Sequence, residues 1–118
     1  MASYKDLIVW QKSYELSILI YAITKKFPKE EIFGLTSQMR RAAVSIPSNV
    51  AEGNIRFGKK ENAQFLKIAY GSAAELETQL LISKDLGYVI EKDYTIAVSL
   101  LNEVMKILYT LLVRVPNV

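Results

Sequence analysis

The sequence predicts an all-α fold, an antiparallel up-down-up-down four-helix bundle, built as one domain over residues 1–118. Three observations carry this. Apolar residues recur at three- and four-residue spacings through four long segments. Helix-breaking residues are few, and Pro28, Gly34, Phe57-Gly58, Gly87 and Pro116 mark the divisions. Hydrophobic residues make up 51% of the 118, enough for a core that does not depend on disulfides or metals.

The first helix is expected from about Lys5 to Lys26. Val9, Leu16, Ile20, Ile23 and Phe27 form one strip, and Trp10, Tyr14, Ser17 and Tyr21 form another beside it. Lys25 and Lys26 suit the negative end of the helix dipole, and Pro28 stops the helix. The second helix is expected over Thr36–Arg56, after a short turn at Lys29–Phe33, with Thr36 or Ser37 as the cap. Leu35, Met39, Ala42, Ala43, Ile46, Val50 and Gly53 share its apolar face. Pro47 lies inside it. Because the apolar face stays in phase across the proline, the expectation is one helix kinked at Pro47.

The third helix is expected over Lys59–Leu86, with Phe65, Ile68, Ala69, Ser72, Leu76, Leu80 and Ser83 as its seam and Gly87 closing it. Small residues at Ala69–Ala74, and at Ala42, Ala43, Ala51 and Gly53, predict a close approach of the second and third helices. The fourth is expected over Glu91–Val113, on a seam of Ala97, Leu101, Val104, Leu108, Leu111 and Val115. Ile96, Leu100, Ile107 and Leu112 widen that seam, while Asn102, Glu103, Lys106 and Thr110 hold the polar side. Ile90 is a poor cap, which Glu91 and Asp93 offset electrostatically. The first and fourth helices carry more apolar arc than one bundle core requires. Two readings follow, a homo-oligomer or a thicker single-chain core.

The residue inventory excludes much chemistry. The chain has no cysteine and no histidine, which removes thiol nucleophiles, a histidine base, the usual zinc sets and the Glu-x-x-His motif of di-iron bundles. Glu75 and Glu77 project to nearly opposite sides of a helix and are no acid–base pair. Gly71-Ser72 lies in a predicted helix and is no nucleophile elbow. No phosphate-binding glycine loop is present. The reading is of a protein that is not an enzyme, with no catalytic residue, metal or cofactor assigned. The N-terminus lacks a signal peptide's apolar stretch, and the longest apolar runs are too short to span a bilayer. A cytoplasmic location without a membrane partner is expected.

The net charge is +3, but it is unevenly spread. Residues 1–60 hold ten Lys/Arg against five Asp/Glu, and residues 61–118 hold five against seven. In the expected topology one end of the bundle gathers Lys5, Arg56, Lys59, Lys60 and Arg114 against Asp6, Glu52 and Glu61. Such an excess suits phosphate. On the second helix Arg41, Ser45, Ser48, Asn49, Glu52 and Arg56 form one polar stripe. It reads either as a binding strip or as a polar network between helices or subunits, with an arginine paired to Glu52.

The stretch Arg40-Arg41-Ala-Ala-Val-Ser-Ile-Pro-Ser-Asn-Val-Ala-Glu-Gly53 resembles the signature of the four-helix-bundle proteins encoded in intervening sequences of 23S ribosomal RNA genes. Leu7–Lys12, Phe27–Glu31, Gly34–Gln38 and Phe65–Glu77 fit the same family, so the resemblance spans nearly the whole chain. It implies a four-helix bundle assembled as a cyclic homopentamer. It also implies kinship with the accessory variability determinant of diversity-generating retroelements, a group associated with nucleic acid and a reverse transcriptase. The resulting expectation is a homo-oligomeric RNA-binding accessory protein that uses a basic rim, with Arg40, Arg41, Arg56, Lys59 and Lys60 as the phosphate contacts. The other expectation is a structural or adaptor ring for a protein partner, in which Arg41, Ser45, Asn49 and Glu52 serve subunit assembly.

Overall fold

A computed structural model gives the fold and describes residues 3–56 and 58–114. Phe57, Val115 and Pro116, which figure in the sequence reading, lie outside the described residues. Four helices are present: α1 (Ile8–Thr24), α2 (Leu35–Ile55), α3 (Lys59–Asp85) and α4 (Glu91–Val113). Short 3-10 turns at Tyr4–Asp6 and Lys29–Glu31 precede the first two. Each helix packs on two neighbours, α1 on α2 and α4, and α3 on α2 and α4. Across α1 and α2, Ser17 meets Ala43 and Thr24 meets Arg40. Across α3 and α4, Tyr70 meets Tyr109 and Lys84 meets Tyr94. Position rises along one helix as it falls along the next, so the chain reverses at each of these connections.

One core joins all four helices. Leu16, Ile20, Met39, Ile46, Leu76, Leu80, Leu101 and Leu108 are its largest fully buried side chains. On α1 the expected Val9, Leu16, Ile20 and Ile23 are buried, and Ser13, Ser17 and Thr24 are buried with them. The second strip divides. Ser17 is buried and Trp10 half-buried, but Tyr14 and Tyr21 are exposed. Of the expected α3 seam, Ala69, Leu76, Leu80 and Ser83 are buried, but Ile68 is exposed and Phe65 and Ser72 are half-buried, while Leu66, Ala73 and Gln79 are buried in addition. Large and small residues alternate on both flanks of this helix, so spacing alone could not fix its rotation. On α4, Ala97, Leu101, Val104 and Leu108 are buried as expected, while Leu111 is only half-buried. By length and composition alone α4 is apolar enough to cross a membrane, yet these four residues pack against protein.

The second helix begins one residue earlier than expected, and neither Thr36 nor Ser37 caps it. Gly34 occupies the cap position without a side-chain bond. Instead the Leu35 amide donates to Glu31 Oε1 at 3.1 Å. A carboxylate in the preceding turn thus satisfies an amide that the helix leaves unpaired. The other oxygen of Glu31 accepts the Tyr88 hydroxyl at 3.0 Å, tying this turn to the α3–α4 connection. Held by that bond, the Tyr88 hydroxyl keeps its proton above the ordinary tyrosine range. Helix α3 ends at Asp85, one residue short of expectation. Gly87 is in the left-handed region at φ +78°, where the Tyr88 and Gly87 amides donate to Ser83 O at 2.9 Å and Lys84 O at 3.0 Å. This double closure satisfies the last carbonyls of the helix.

Helix α2 runs unbroken through Pro47, which is buried. A proline has no N–H, so the Ala43 carbonyl, four residues earlier, loses its helical donor. Ser17 Oγ of α1 lies 3.0 Å from that carbonyl oxygen and 3.0 Å from Ser13 O of its own helix, so its one proton is shared between the two. The neighbouring helix therefore supplies in part what the proline removes.

Gly53 marks the tightest crossing. A Cβ there would lie 2.7 Å from Asn62 Oδ1, 2.9 Å from Phe65 Cβ and 3.2 Å from Asn62 O. Small residues let α2 and α3 approach where the chain has just turned between them.

Candidate functional site

The polar stripe of α2 is spent mainly on the bundle itself. Ser45 Oγ and Ser72 Oγ are 2.8 Å apart across α2 and α3. Asn49 Nδ2 donates to Ser45 O at 2.8 Å and to Ser45 Oγ at 3.0 Å. Arg56 Nη2 donates to Glu52 Oε1 at 2.7 Å one turn away, and the guanidinium lies 5.4 Å from the centre of the Phe65 ring. Arg41 is exposed at a cleft of about 400 Å³, whose lining also includes Ser45, Ser72 and Glu75. Polar groups that half-bury between helices need such partners, because an unpaired one is costly.

The five basic residues expected to contact phosphate fall into two groups. Arg40 donates through Nε to Thr24 Oγ1 at 2.9 Å, and its guanidinium sits 4.6 Å from the centre of the Tyr21 ring. It is thus engaged against α1, with Arg41 beside it on α2. Arg56, Lys59 and Lys60 lie at the other end of α2, about 22 Å away along the helix axis. Lys59 and Lys60 are exposed, and neither makes an ion pair among the described residues. The fold keeps Arg56, Lys59 and Lys60 close, with Arg114 at the same end, and leaves Arg40 and Arg41 apart from them.

Helix α1 shows an apolar ridge. Ile18 is 58% exposed and Tyr14 51%. A shallow groove runs along each side of the ridge. One, of about 480 Å³, is lined by Trp10, Tyr14, Ile18, Tyr21, Val44 and Pro47 among others. The other, of about 660 Å³, is lined chiefly by Tyr14, Ile18, Leu19, Ala22, Ile96 and Leu100. Trp10 and Tyr14 stack with centroids 5.2 Å apart, which holds this face in one shape. Lys12 pairs with Glu103 of α4 at 2.5 Å, and that bond raises the lysine above its usual range.

A third groove, of about 860 Å³, lies between α3 and α4. Tyr70, Glu77, Asn102, Lys106, Tyr109 and Arg114 supply its polar and aromatic groups. Sequence reasoning placed Asn102, Lys106 and Thr110 on the polar side of the fourth helix but did not join them to Tyr70. The two tyrosines are far apart in the chain, and only the packing of α3 on α4 brings their ring centroids to 6.4 Å.

All these surfaces are open, and they sit on a bundle whose interior is filled by side chains. The class so defined is a four-helix bundle with ridges and grooves on its surface. The chain belongs to the family of 23S rRNA-intervening sequence proteins, whose family model matches residues 5–110. No curated protein matches it. A similar solved structure is a protein of unknown function from the S23 ribosomal protein family of Bacteroides thetaiotaomicron VPI-5482. It is 23% identical, superposes with a TM-score of 0.80, and the match covers 89% of this chain and 98% of that one. At that identity the likeness speaks for the fold alone.

Proposed function

We propose that this chain is a non-enzymatic, homo-oligomeric accessory protein of the cytoplasm that binds RNA through a basic rim. The observation that carries the RNA reading is the exposure of Lys59 and Lys60 at the α2–α3 turn, where neither makes an ion pair among the described residues. Lys5 and Arg114 are exposed at the same end. Of the opposing carboxylates, Glu52 is paired with Arg56, Asp6 accepts from the Ser3 amide and Glu61 is exposed, and the five cations of this end outnumber these three. The self-assembly part rests on the α1 ridge, since burying each such large apolar side chain is worth about 1.5–3 kcal/mol. A cyclic arrangement of parallel subunits would gather the cations of every copy on one face, and five copies is the number that the family resemblance suggests.

RNA binding measured across a salt series tests the rim. Each phosphate contact contributes about 0.7 to the slope of log affinity against log salt for a single strand. The Lys59→Ala/Lys60→Ala variant should bind more weakly, with a slope shallower by about 1.4. Unchanged affinity and slope would remove these lysines from the site, and no binding at low salt would remove RNA altogether.

A second reading is an adaptor ring for a protein partner. The intramolecular engagement of Arg40, Ser45, Asn49 and Arg56 favours it, because those groups then serve packing rather than a ligand.

A further inference from the structure

The α3–α4 groove opens onto the basic rim. Arg114 belongs to both, since it lines the groove and ends α4 at the rim. Lys59 lies eleven residues before Tyr70 on α3, about 16 Å away and on nearly the same side of the helix. Within the groove Tyr109 is 58% exposed, and the half-buried Tyr70 lies beside it, with the ring planes tilted by 43°. Lys106 and Asn102 precede Tyr109 by three and seven residues, so all three share one side of α4. Glu77 faces them from α3.

An exposed aromatic ring flanked by cations, with an amide and a carboxylate close by, has a specific chemistry. A planar base can stack on the ring, the cations can meet the phosphates on either side of it, and Asn102 or Glu77 can bond the edge of the base. A base inside a duplex is already stacked and paired and cannot be offered in this way. We infer that this groove takes an unpaired base of single-stranded RNA, with Tyr109 as the stacking platform and Lys106 and Arg114 on the flanking phosphates. The inference rests on the rim being an RNA surface, and it adds that the strand leaves the rim along α3 and α4. It also makes the protein selective for single strands over duplex.

The full chain is titrated with a fluorescein-labelled single strand of mixed-sequence RNA, and with the same strand annealed to its complement. Wild type is compared with Tyr109→Phe, Tyr109→Leu and Lys59→Ala/Lys60→Ala, and each variant's mass is checked by light scattering. Tyr109→Phe keeps the ring and should bind the single strand as wild type does. Tyr109→Leu keeps apolar bulk without the ring and should lose about tenfold or more for the single strand, with its salt slope and its duplex affinity unchanged. If Tyr109→Leu binds the single strand like wild type while the lysine variant does not, the groove inference is overturned and the rim survives. If wild type binds no RNA at low salt, the rim reading falls and the inference falls with it. If Tyr109→Leu instead lowers the oligomer mass, the groove is a subunit contact and the inference is wrong.

Discussion

Helices α1 and α2 treat their side chains in opposite ways. On α2, Ser45 meets Ser72 of α3 and accepts from Asn49 one turn on. On α1, Ile8, Tyr14, Ile18 and Tyr21 are left on the outside. One face of α2 thus closes on a neighbouring helix, while this face of α1 leaves large apolar side chains uncovered. At Gly53 a Cβ would meet Asn62 and Phe65, so the missing side chain lets α2 and α3 approach closely. The contrast sets a side finished by a close crossing within the chain against a side whose apolar groups the proposed assembly would cover.

The largest expected effect tests the uncovered side. Ile18→Asp should reduce the particle to a single chain of 13.4 kDa by light scattering, with helicity by circular dichroism retained. If wild type is already a monomer, the same change should alter stability by no more than about 0.5 kcal/mol, and the contrast drawn here breaks.

The finished side is tested next by glycine substitution. Gly53→Ala should destabilise by about 1–3 kcal/mol in urea unfolding, through overpacking against Asn62 and Phe65. Gly71 has nothing within 4 Å of its would-be Cβ, so Gly71→Ala should stabilise by about 0.5–1 kcal/mol. Equal responses at the two glycines would refute the close crossing.

A comparable loss should follow at the join of α1 and α2. Ser17→Ala leaves the Ala43 carbonyl buried without a donor and should cost about 1–3 kcal/mol. In a Pro47→Ala background residue 47 regains its N–H, so the same Ser17→Ala change should cost measurably less in a double-mutant cycle. Additive losses would show that Ser17 does not serve that carbonyl.

The smallest effect sharpens the clasp between Glu31 and Tyr88. Tyr88→Phe should cost about 1 kcal/mol near neutral pH. The folded-state pKa of Tyr88 is raised, so its contribution is complete below the ordinary tyrosine value and is lost as pH rises through the folded one. Wild type and variant should therefore converge in stability in strongly alkaline solution.

Much of the fold was legible in the sequence, because helical periodicity and punctuation are local signals. Both bounds of α4 and the start of α3 fall at the expected residues, and the remaining bounds differ by one to three. The start of α2 depends on Glu31 reaching forward four residues to Leu35, and nothing about Thr36 or Ser37 reveals that. The other misses share a cause in contacts between residues distant in the chain. The α3 seam turned out to run through Leu66 and Ala73 because rotation is set by the neighbours. The polar stripe was visible as a pattern, but its partner Ser72 lies on another helix. The α3–α4 groove was invisible for the same reason, since Tyr70 and Tyr109 carry no shared local signature.

Pro47 has a consequence that reaches beyond its own helix. By leaving one carbonyl of α2 unclaimed, it gives α1 a rotational address. Turning α1 by a single residue would set Leu16 or Ile18 against that oxygen in place of Ser17, and neither side chain can answer it. With α1 fixed about its axis, Tyr14, Ile18 and Tyr21 have only the outside left to face. A proline in one helix thus decides what its neighbour shows to the world.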